Sequence, residues 1–205
     1  MYWDLTADEK RPIWLGSVIV PRPVGWISTR SRGGVANLAP YSYFNVLSDR
    51  PGIVAIGCAP DERTPPAADR RKDTQRNIEE TGQFVWNLAT FELLAAVERS
   101  AQGVPPEVDE FALAGLSEMP SQRVAAPRVA ESPVHAECLY LQTLQIRGSA
   151  ALVFGEVVGL HVRDDLLVDH PTQPGRKRVD IVRARPLARL GGTYGCIERE
   201  LAPEA

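Results

Sequence analysis

The 205-residue chain has only three cysteines and three histidines, and neither set is spaced to form a cluster. Cys58, Cys138 and Cys196 are odd in number, far apart and without a CxxC pair. That argues against a disulfide framework or a zinc knuckle and predicts reduced, buried thiols. His135, His161 and His170 show no paired ligand spacing, although His135 and Glu137 would share one face of a strand; no metal site is expected. An excess of one charge is also missing. The net charge of −3 gives no general attraction to phosphate backbones or anionic lipid, so nucleic acid is not an expected partner. No apolar run approaches the roughly 20 residues needed to span a bilayer. Residues 1–12 carry Asp4, Asp8, Glu9, Lys10 and Arg11 rather than the apolar core of a secretory signal, so no membrane contact and a cytoplasmic location are the expectation. No Ser-His-Asp arrangement and no GxxxxGK[ST] sequence occurs, and Asp164-Asp165 reads as a turn rather than a catalytic pair. Hydrolysis finds no support.

What is present is the composition of an ordinary globular protein, 44% hydrophobic and 24% charged, long enough to bury a substantial core. All-β barrels reach this size as one unit, and a single domain over residues 1–205 is expected. Pro/Gly punctuation divides the chain into short β-type runs at Val18–Val20, Gly25–Thr29, Leu38–Asn45 and Ile53–Cys58. The last has almost no polar interruption and is expected to be buried on both faces. Residues 59–69, APDERTPPAAD, form a proline-rich surface loop. Asp73 is placed to cap a helix over 74–81 that Gly82 stops. Phe84, Trp86 and Leu88 alternate as in a strand, and Thr90 opens a second helix through Phe91, Leu94, Ala95 and Glu98. A short helix around Phe111–Leu113 precedes breaks at Pro120, Pro127 and Pro133. Two long alternating strands follow, one through Val134, Ala136, Cys138 and Tyr140, the other through Leu152, Phe154, Glu156, Val158 and Leu160. Arg147, Gly148 and Ser149 supply the turn between them, and the last ordered elements fall near Ile181 and over Leu187–Tyr194. The sum is a mainly β barrel with peripheral helices.

The most informative stretch is Pro21–Asn45, PRPVGWISTRSRGGVANLAPYSYFN. Gly33 and Gly34 tolerate the positive φ that reverses a hairpin. The second run then delivers Asn37, Ala39, Pro40, Tyr41 and Ser42, where small side chains let a planar ligand approach the backbone and Asn and Ser supply hydrogen bonds. Taken alone, this is equally a strand edge of small residues. Arg71, Lys72 and Thr74 stand at a helix start, whose free N–H groups and macrodipole favour an anion. Taken alone, that corner reads sooner as a solvated basic turn that caps a helix.

Read in order, PRPVGWIST, NLAPYSYFN, RKDTQRNI, ESPVHAECLYLQ, LVFGEVVGLHV and LARLGGTYGCI resemble the flavin reductase-like, FMN-binding split-barrel family, in its flavoprotein oxygenase branch. The likeness covers nearly the whole chain, and the first three runs are its most specific parts. It implies an FMN-binding split β-barrel in which Trp26, Ile27, Ser28, Thr29, Asn37, Ala39, Pro40, Tyr41 and Ser42 line the flavin and Arg71, Lys72 and Thr74 hold its phosphate. Asn45 and Asn77 are expected as supports, and Tyr194 as a weaker candidate for closing the pocket. Trp26, Tyr41, Tyr43 and Phe44 either stack on the ring or fill the core. The resemblance implies an FMN-dependent oxidoreductase that takes reducing equivalents from NAD(P)H and passes them to oxygen, free flavin or another acceptor. The alternative is a non-catalytic FMN-binding or electron-carrier protein. Few catalytic side chains are needed, because the flavin itself accepts hydride, and none is assigned. The missing GxGxxG fingerprint is neutral, since split-barrel reductases use no Rossmann domain. A homodimer, with an oxygenase or other electron acceptor as further partner, is the expectation. Gly52 follows Pro51 where the family often has a second proline, and the 59–69 loop is long, so acceptor specificity does not transfer.

Overall fold

The computed structural model describes Asp4 and residues 15–65, 68–146 and 150–201. Strands β1 (Arg22–Pro23), β2 (Gly25–Arg30), β3 (Ala36–Tyr41), β4 (Phe44–Asp49) and β5 (Gly52–Cys58) come first. Helix α1 (Asp73–Thr81), strand β6 (Gln83–Asn87), and helices α2 (Leu94–Arg99) and α3 (Glu110–Ala114) follow. Short strands β7 (Glu118–Met119) and β8 (Arg128–Val129) lead to the long β9 (Val134–Gln145) and β10 (Ala151–Val162). The chain closes with β11 (Leu167–Asp169), β12 (Lys177–Val179), α4 (Ile181–Ala184), β13 (Leu187–Leu190) and β14 (Thr193–Cys196).

Seven strands form one antiparallel sheet in the order β3-β2-β6-β9-β10-β5-β4. Its two outermost strands, β3 and β4, are joined by Ser42 and Tyr43 alone. Three residue steps cover at most about 11 Å of extended chain, so the two edges of the sheet must meet at this corner. The sheet is therefore curled into a barrel. Register shifts in the β9–β10 pair at Phe154/Gly155 and Val157/Gly159 supply bends of the kind a curled sheet needs. Two glycines allow the close approach at the seam. A Cβ on Gly25 would lie 2.7 Å from the Phe44 Cβ, and one on Gly57 would lie 2.8 Å from the Tyr43 Cβ. The Gly57 N–H donates to the Tyr43 carbonyl at 2.6 Å, and Arg22 fixes the corner from behind, donating to the carbonyls of Ser42 and Gly16, both at 3.0 Å.

Because side chains alternate along a strand, β2 and β3 divide their residues between two cores. Ile27 and Tyr41 point into the barrel with Ile56, Ile78, Phe84 and Val153. Trp26 and Leu38 point outward, where α2, α3 and β13 cover them through Val97, Phe111 and Leu187. Helix α1 plugs one end of the barrel with Ile78, fully buried, and its C-cap Gly82 adopts φ 74 and donates to the Ile78 carbonyl. Burying one such side chain is worth about 1.5–3 kcal/mol.

The mainly β expectation holds, as do the 25–41 hairpin, with Gly34 at φ +88, and the two long strands. Several local expectations do not. The run 38–45 is two strands broken at Ser42, because the sheet changes edge there. Strand β5 alternates buried Val54, Ile56 and Cys58 with half-buried Ile53, Ala55 and Gly57, since only one of its faces meets the barrel interior. Val18–Val20 is not a strand; a 3-10 turn over Leu15–Ser17 precedes it. Asp73 is the first helical residue rather than the cap, and its carboxylate pairs with Arg76 at 2.7 Å while Lys72 takes the N-cap position without a side-chain bond. The expected second helix is a 3-10 turn, Phe91–Leu93, followed by α2. The reading of Asp164-Asp165 as a turn does hold, since they open a 3-10 turn ending at Leu166. The turn assigned to Arg147, Gly148 and Ser149, and most of the N-terminal segment, lie outside the described residues.

If the sheet edges meet as described, Gly25→Ala places a methyl group against Phe44 that neither strand can yield to freely. A loss of about 1–3 kcal/mol is expected, read as a lower urea midpoint; an unchanged midpoint contradicts this packing.

Candidate functional site

A cleft of about 440 Å³ opens beside the seam, within the size range of small-molecule sites. Its floor is β3 and the corner that follows it, through Asn37, Ala39, Pro40, Tyr41, Ser42 and Tyr43. Pro40 is tolerated because β3 is an outermost strand, where a missing N–H breaks no ladder. One wall is the start of α1, Lys72 to Thr74; the other is the stretch after α2, Ser100 to Val104. The mouth is framed by Ala59 to Arg63. Arg63 spans it, donating to the Asp61 carboxylate and, at 3.3 Å, to the Val104 carbonyl. That hydrogen bond from Arg63 holds the Asp61 carboxyl down at about 2.

The charge in the cleft is uneven. Arg63 is paired with Asp61 at 2.8 Å, whereas Lys72 has no carboxylate within salt-bridge range among the described residues and is exposed. The first intrahelical bond of α1 runs from Arg76 N–H to the Lys72 carbonyl, so the N–H groups of the preceding turn lack intrahelical acceptors. Lys72 and those N–H groups suit an anion; the Asp73 carboxylate on the same lining is taken up by Arg76.

Behind the floor lies a buried polar network. The Thr74 hydroxyl donates to Asn37 Oδ1 at 2.7 Å, and the Thr29 hydroxyl donates to the same oxygen at 3.2 Å. Asn77 Nδ2 donates to Thr29 Oγ1 at 3.0 Å. Asn37 Nδ2 donates to Glu110 Oε1 at 2.9 Å, and the Leu38 N–H donates to Glu110 Oε2 at 3.2 Å. Glu110 reaches this position because Asp109 caps α3, accepting from the Phe111 N–H at 2.8 Å. Burial raises the Glu110 carboxyl above the ordinary carboxylate value. Burial likewise raises the Tyr41 phenol, so it stays protonated at any physiological pH.

A domain model described as "Flavin reductase like domain" matches residues 16–176. The chain belongs to the flavin reductase-like family. An uncharacterized protein of Halalkalibacterium halodurans is 37% identical over 199 residues, covering 93% of this chain and 88% of that one. The crystal structure of nitrilotriacetate monooxygenase component B from Bacillus cereus is 30% identical with a TM-score of 0.81, covering 92% of this chain and 90% of that chain. A Shewanella frigidimarina structure with a split barrel domain is 19% identical with a TM-score of 0.77, covering 93% and 90%. The fold of this flavin reductase-like chain is the split barrel.

Of the residues expected at the site, seven line the cleft: Asn37, Ala39, Pro40, Tyr41, Ser42, Lys72 and Thr74. Thr29 and Asn77 stand behind them in the polar network. Trp26, Ile27 and Ser28 are fully buried and their side chains do not border the cleft. Strand β2 lies between β3 and β6, so its residues face one core or the other. Trp26 instead braces the far wall, donating through Nε1 to Ser100 Oγ at 3.0 Å, and Ser28 Oγ donates to the Pro127 carbonyl. Arg71 turns away and is held by Asp69 at 2.7 Å and Glu79 at 2.6 Å. Asn45 sits exposed on β4, its Oδ1 accepting from the Val46 N–H. Tyr194 lies on β14 beneath Arg189, 4.4 Å from its guanidinium carbon, and is not part of the cleft wall. Phe44 stacks on Trp86 at 5.9 Å.

Sequence reasoning missed Glu110, Ser100 to Val104 and the Asp61–Arg63 mouth. Glu110 carries one readable signal, an acidic residue directly after a capping Asp, but nothing in the sequence aims it at β3. The cleft of this flavin reductase-like chain is lined by the cations Arg63 and Lys72, the start of α1 and several hydroxyls. Cys58 near the cleft floor is buried, which pushes its thiol up to about 12. It therefore remains protonated and unreactive at neutral pH. Alkylation of the native protein at pH 8 is expected to spare Cys58 and Cys138 and to mark the half-exposed Cys196; rapid labelling of Cys58 contradicts the described packing.

Proposed function

We propose that this protein is an FMN-dependent oxidoreductase that receives reducing equivalents from NADH or NADPH and passes them to oxygen, free flavin or another acceptor. The observation that carries the reading is the unpaired Lys72 at the start of α1, opening into the same cleft as Asn37, Ala39 and Ser42. These residues fit FMN by their chemistry. Lys72 and the first-turn N–H groups of α1 suit a phosphate. Ala39 leaves room for a flat ring system, and Asn37 and Ser42 offer hydrogen bonds to its polar edges. The flavin reductase-like family supports the same group, and the similar Bacillus cereus protein, a monooxygenase component B, supports an oxidoreductase reading.

FMN bound there supplies hydride acceptance and onward electron transfer. The protein's own contribution is placement. Lys72 anchors one end of the cleft; the Ser100 to Val104 wall and the Arg63 strap narrow its mouth. Tyr41, held protonated, is available only as a donor or neutral acceptor and does not act as a base. By analogy with the monooxygenase component, an oxygenase is the partner we favour as electron acceptor. A homodimer belongs to the same reading, and exposed apolar side chains such as Leu144 on β9, Leu160 on β10 and Val46 and Leu47 on β4 are available to it. Among the described residues no helix is long and apolar enough to cross a membrane.

Anaerobic stopped-flow mixing of the FMN-loaded protein with NADH or NADPH tests the activity. Bleaching of the flavin absorbance faster than that of free FMN is expected with at least one of the two. Bleaching no faster than free FMN with either contradicts the reductase reading and leaves a carrier that binds FMN without a productive nicotinamide site.

A further inference from the structure

The buried Glu110 carboxylate has no place in the anion corner, yet it touches the cleft and is 6% exposed. Its two oxygens accept from two donors on one strand, the Asn37 side-chain amide and the Leu38 N–H. The other end of the Asn37 amide meets two hydroxyls, those of Thr29 and Thr74. A hydroxyl can donate or accept, so Thr29 and Thr74 are compatible with either orientation of the Asn37 carboxamide. An ionised carboxylate only accepts. Glu110 therefore decides which way the Asn37 amide points, and Asn77 reinforces the choice by donating to Thr29 so that Thr29 donates onward to Asn37.

We propose that Glu110 is a positioning residue that locks the Asn37 amide with its nitrogen toward α3, so that Asn37 presents its second N–H, a donor, to an acceptor atom of the cleft ligand. The inference rests on the FMN reading of this cleft, and the flavin and phosphate oxygens of FMN are acceptors of the required kind. Replacing the carboxylate by a carboxamide reverses the polarity. The Leu38 N–H, a fixed backbone donor, claims the new carbonyl oxygen, so the new amino group faces Asn37. Asn37 must then turn its oxygen toward Glu110's position and its nitrogen toward Thr29 and Thr74, whose hydroxyls rotate to accept. The cleft then meets an acceptor where it had a donor.

The test is a titration of FMN into the wild type, Glu110→Gln, Asn37→Ala and the double variant, with melting temperature recorded for each. Loss of one neutral hydrogen bond corresponds to about a 3- to 10-fold weaker affinity, and this is the change expected for Glu110→Gln, together with a shifted visible spectrum of the bound flavin. If Glu110 acts through Asn37, the two substitutions are non-additive, and adding Glu110→Gln to Asn37→Ala costs less than about 2-fold. Wild-type affinity in Glu110→Gln, or an equal loss in both backgrounds, overturns the proposal while leaving FMN binding intact. A wild type that does not bind FMN overturns the flavin reading and this inference with it. Should Glu110→Gln not fold, the side-chain amide resonances of Asn37 in the wild type decide: a shift on adding FMN supports the proposal, and unmoved resonances overturn it.

Discussion

Two residues, Ser42 and Tyr43, carry the chain from one edge of the seven-stranded sheet to the other, and that short span sets most of the structure. Strands so closely tied cannot belong to a flat sheet, so the sheet curls until β3 and β4 meet. The curl demands close backbone approach at Gly25 and Gly57, and it needs the corner carbonyls held, which buried Arg22 does for Ser42 and the Gly57 N–H for Tyr43. It also leaves a gap. Below the corner β3 pairs only with β2, and the space beside its free edge is the cleft.

The cleft inherits its chemistry from what the curl brings alongside β3. Helix α1 arrives with its N-terminus and Lys72, so one end favours an anion. Helix α3 arrives with Glu110, so a buried carboxylate stands behind the polar floor. Such a network is costly unless every member is satisfied. Here Thr29, Asn37, Thr74, Asn77 and Glu110 bond one another and the Leu38 backbone, joining four separate elements behind one small patch of ligand-facing surface. Rigidity is the consequence: no single one of these side chains can turn without disturbing its neighbours.

Much of this was legible in the sequence where the cause is local. Paired glycines at 33 and 34 mark the hairpin because a positive φ is needed there, and Gly34 adopts it. The alternation in β9 and β10 marks two long strands, although the start of β9, Val134 to Cys138, is buried on both faces. The small residues Ala39 to Ser42 and the basic Lys72 were readable as cleft residues from their chemistry and from the family likeness. What was not legible depends on tertiary closure. The run 38–45 has unbroken strand character, and only the meeting of two sheet edges divides it at Ser42. Trp26, Ile27 and Ser28 lie in the same motif as the cleft strand, yet their strand is internal, so each faces a core instead. Arg71 and Lys72 are equivalent as sequence; the carboxylates of Asp69 and Glu79 separate them by holding Arg71 elsewhere. Glu110 is 73 residues from Asn37 along the chain, and no local pattern connects them.

We propose that the α1 corner beside Lys72 holds a phosphate. Equilibrium titration of FMN and of riboflavin, which differ only in that group, tests it most directly. The account predicts that FMN binds at least about 10-fold more tightly at low ionic strength, and that the difference shrinks as salt is added. Equal affinity for the two flavins at low ionic strength contradicts it.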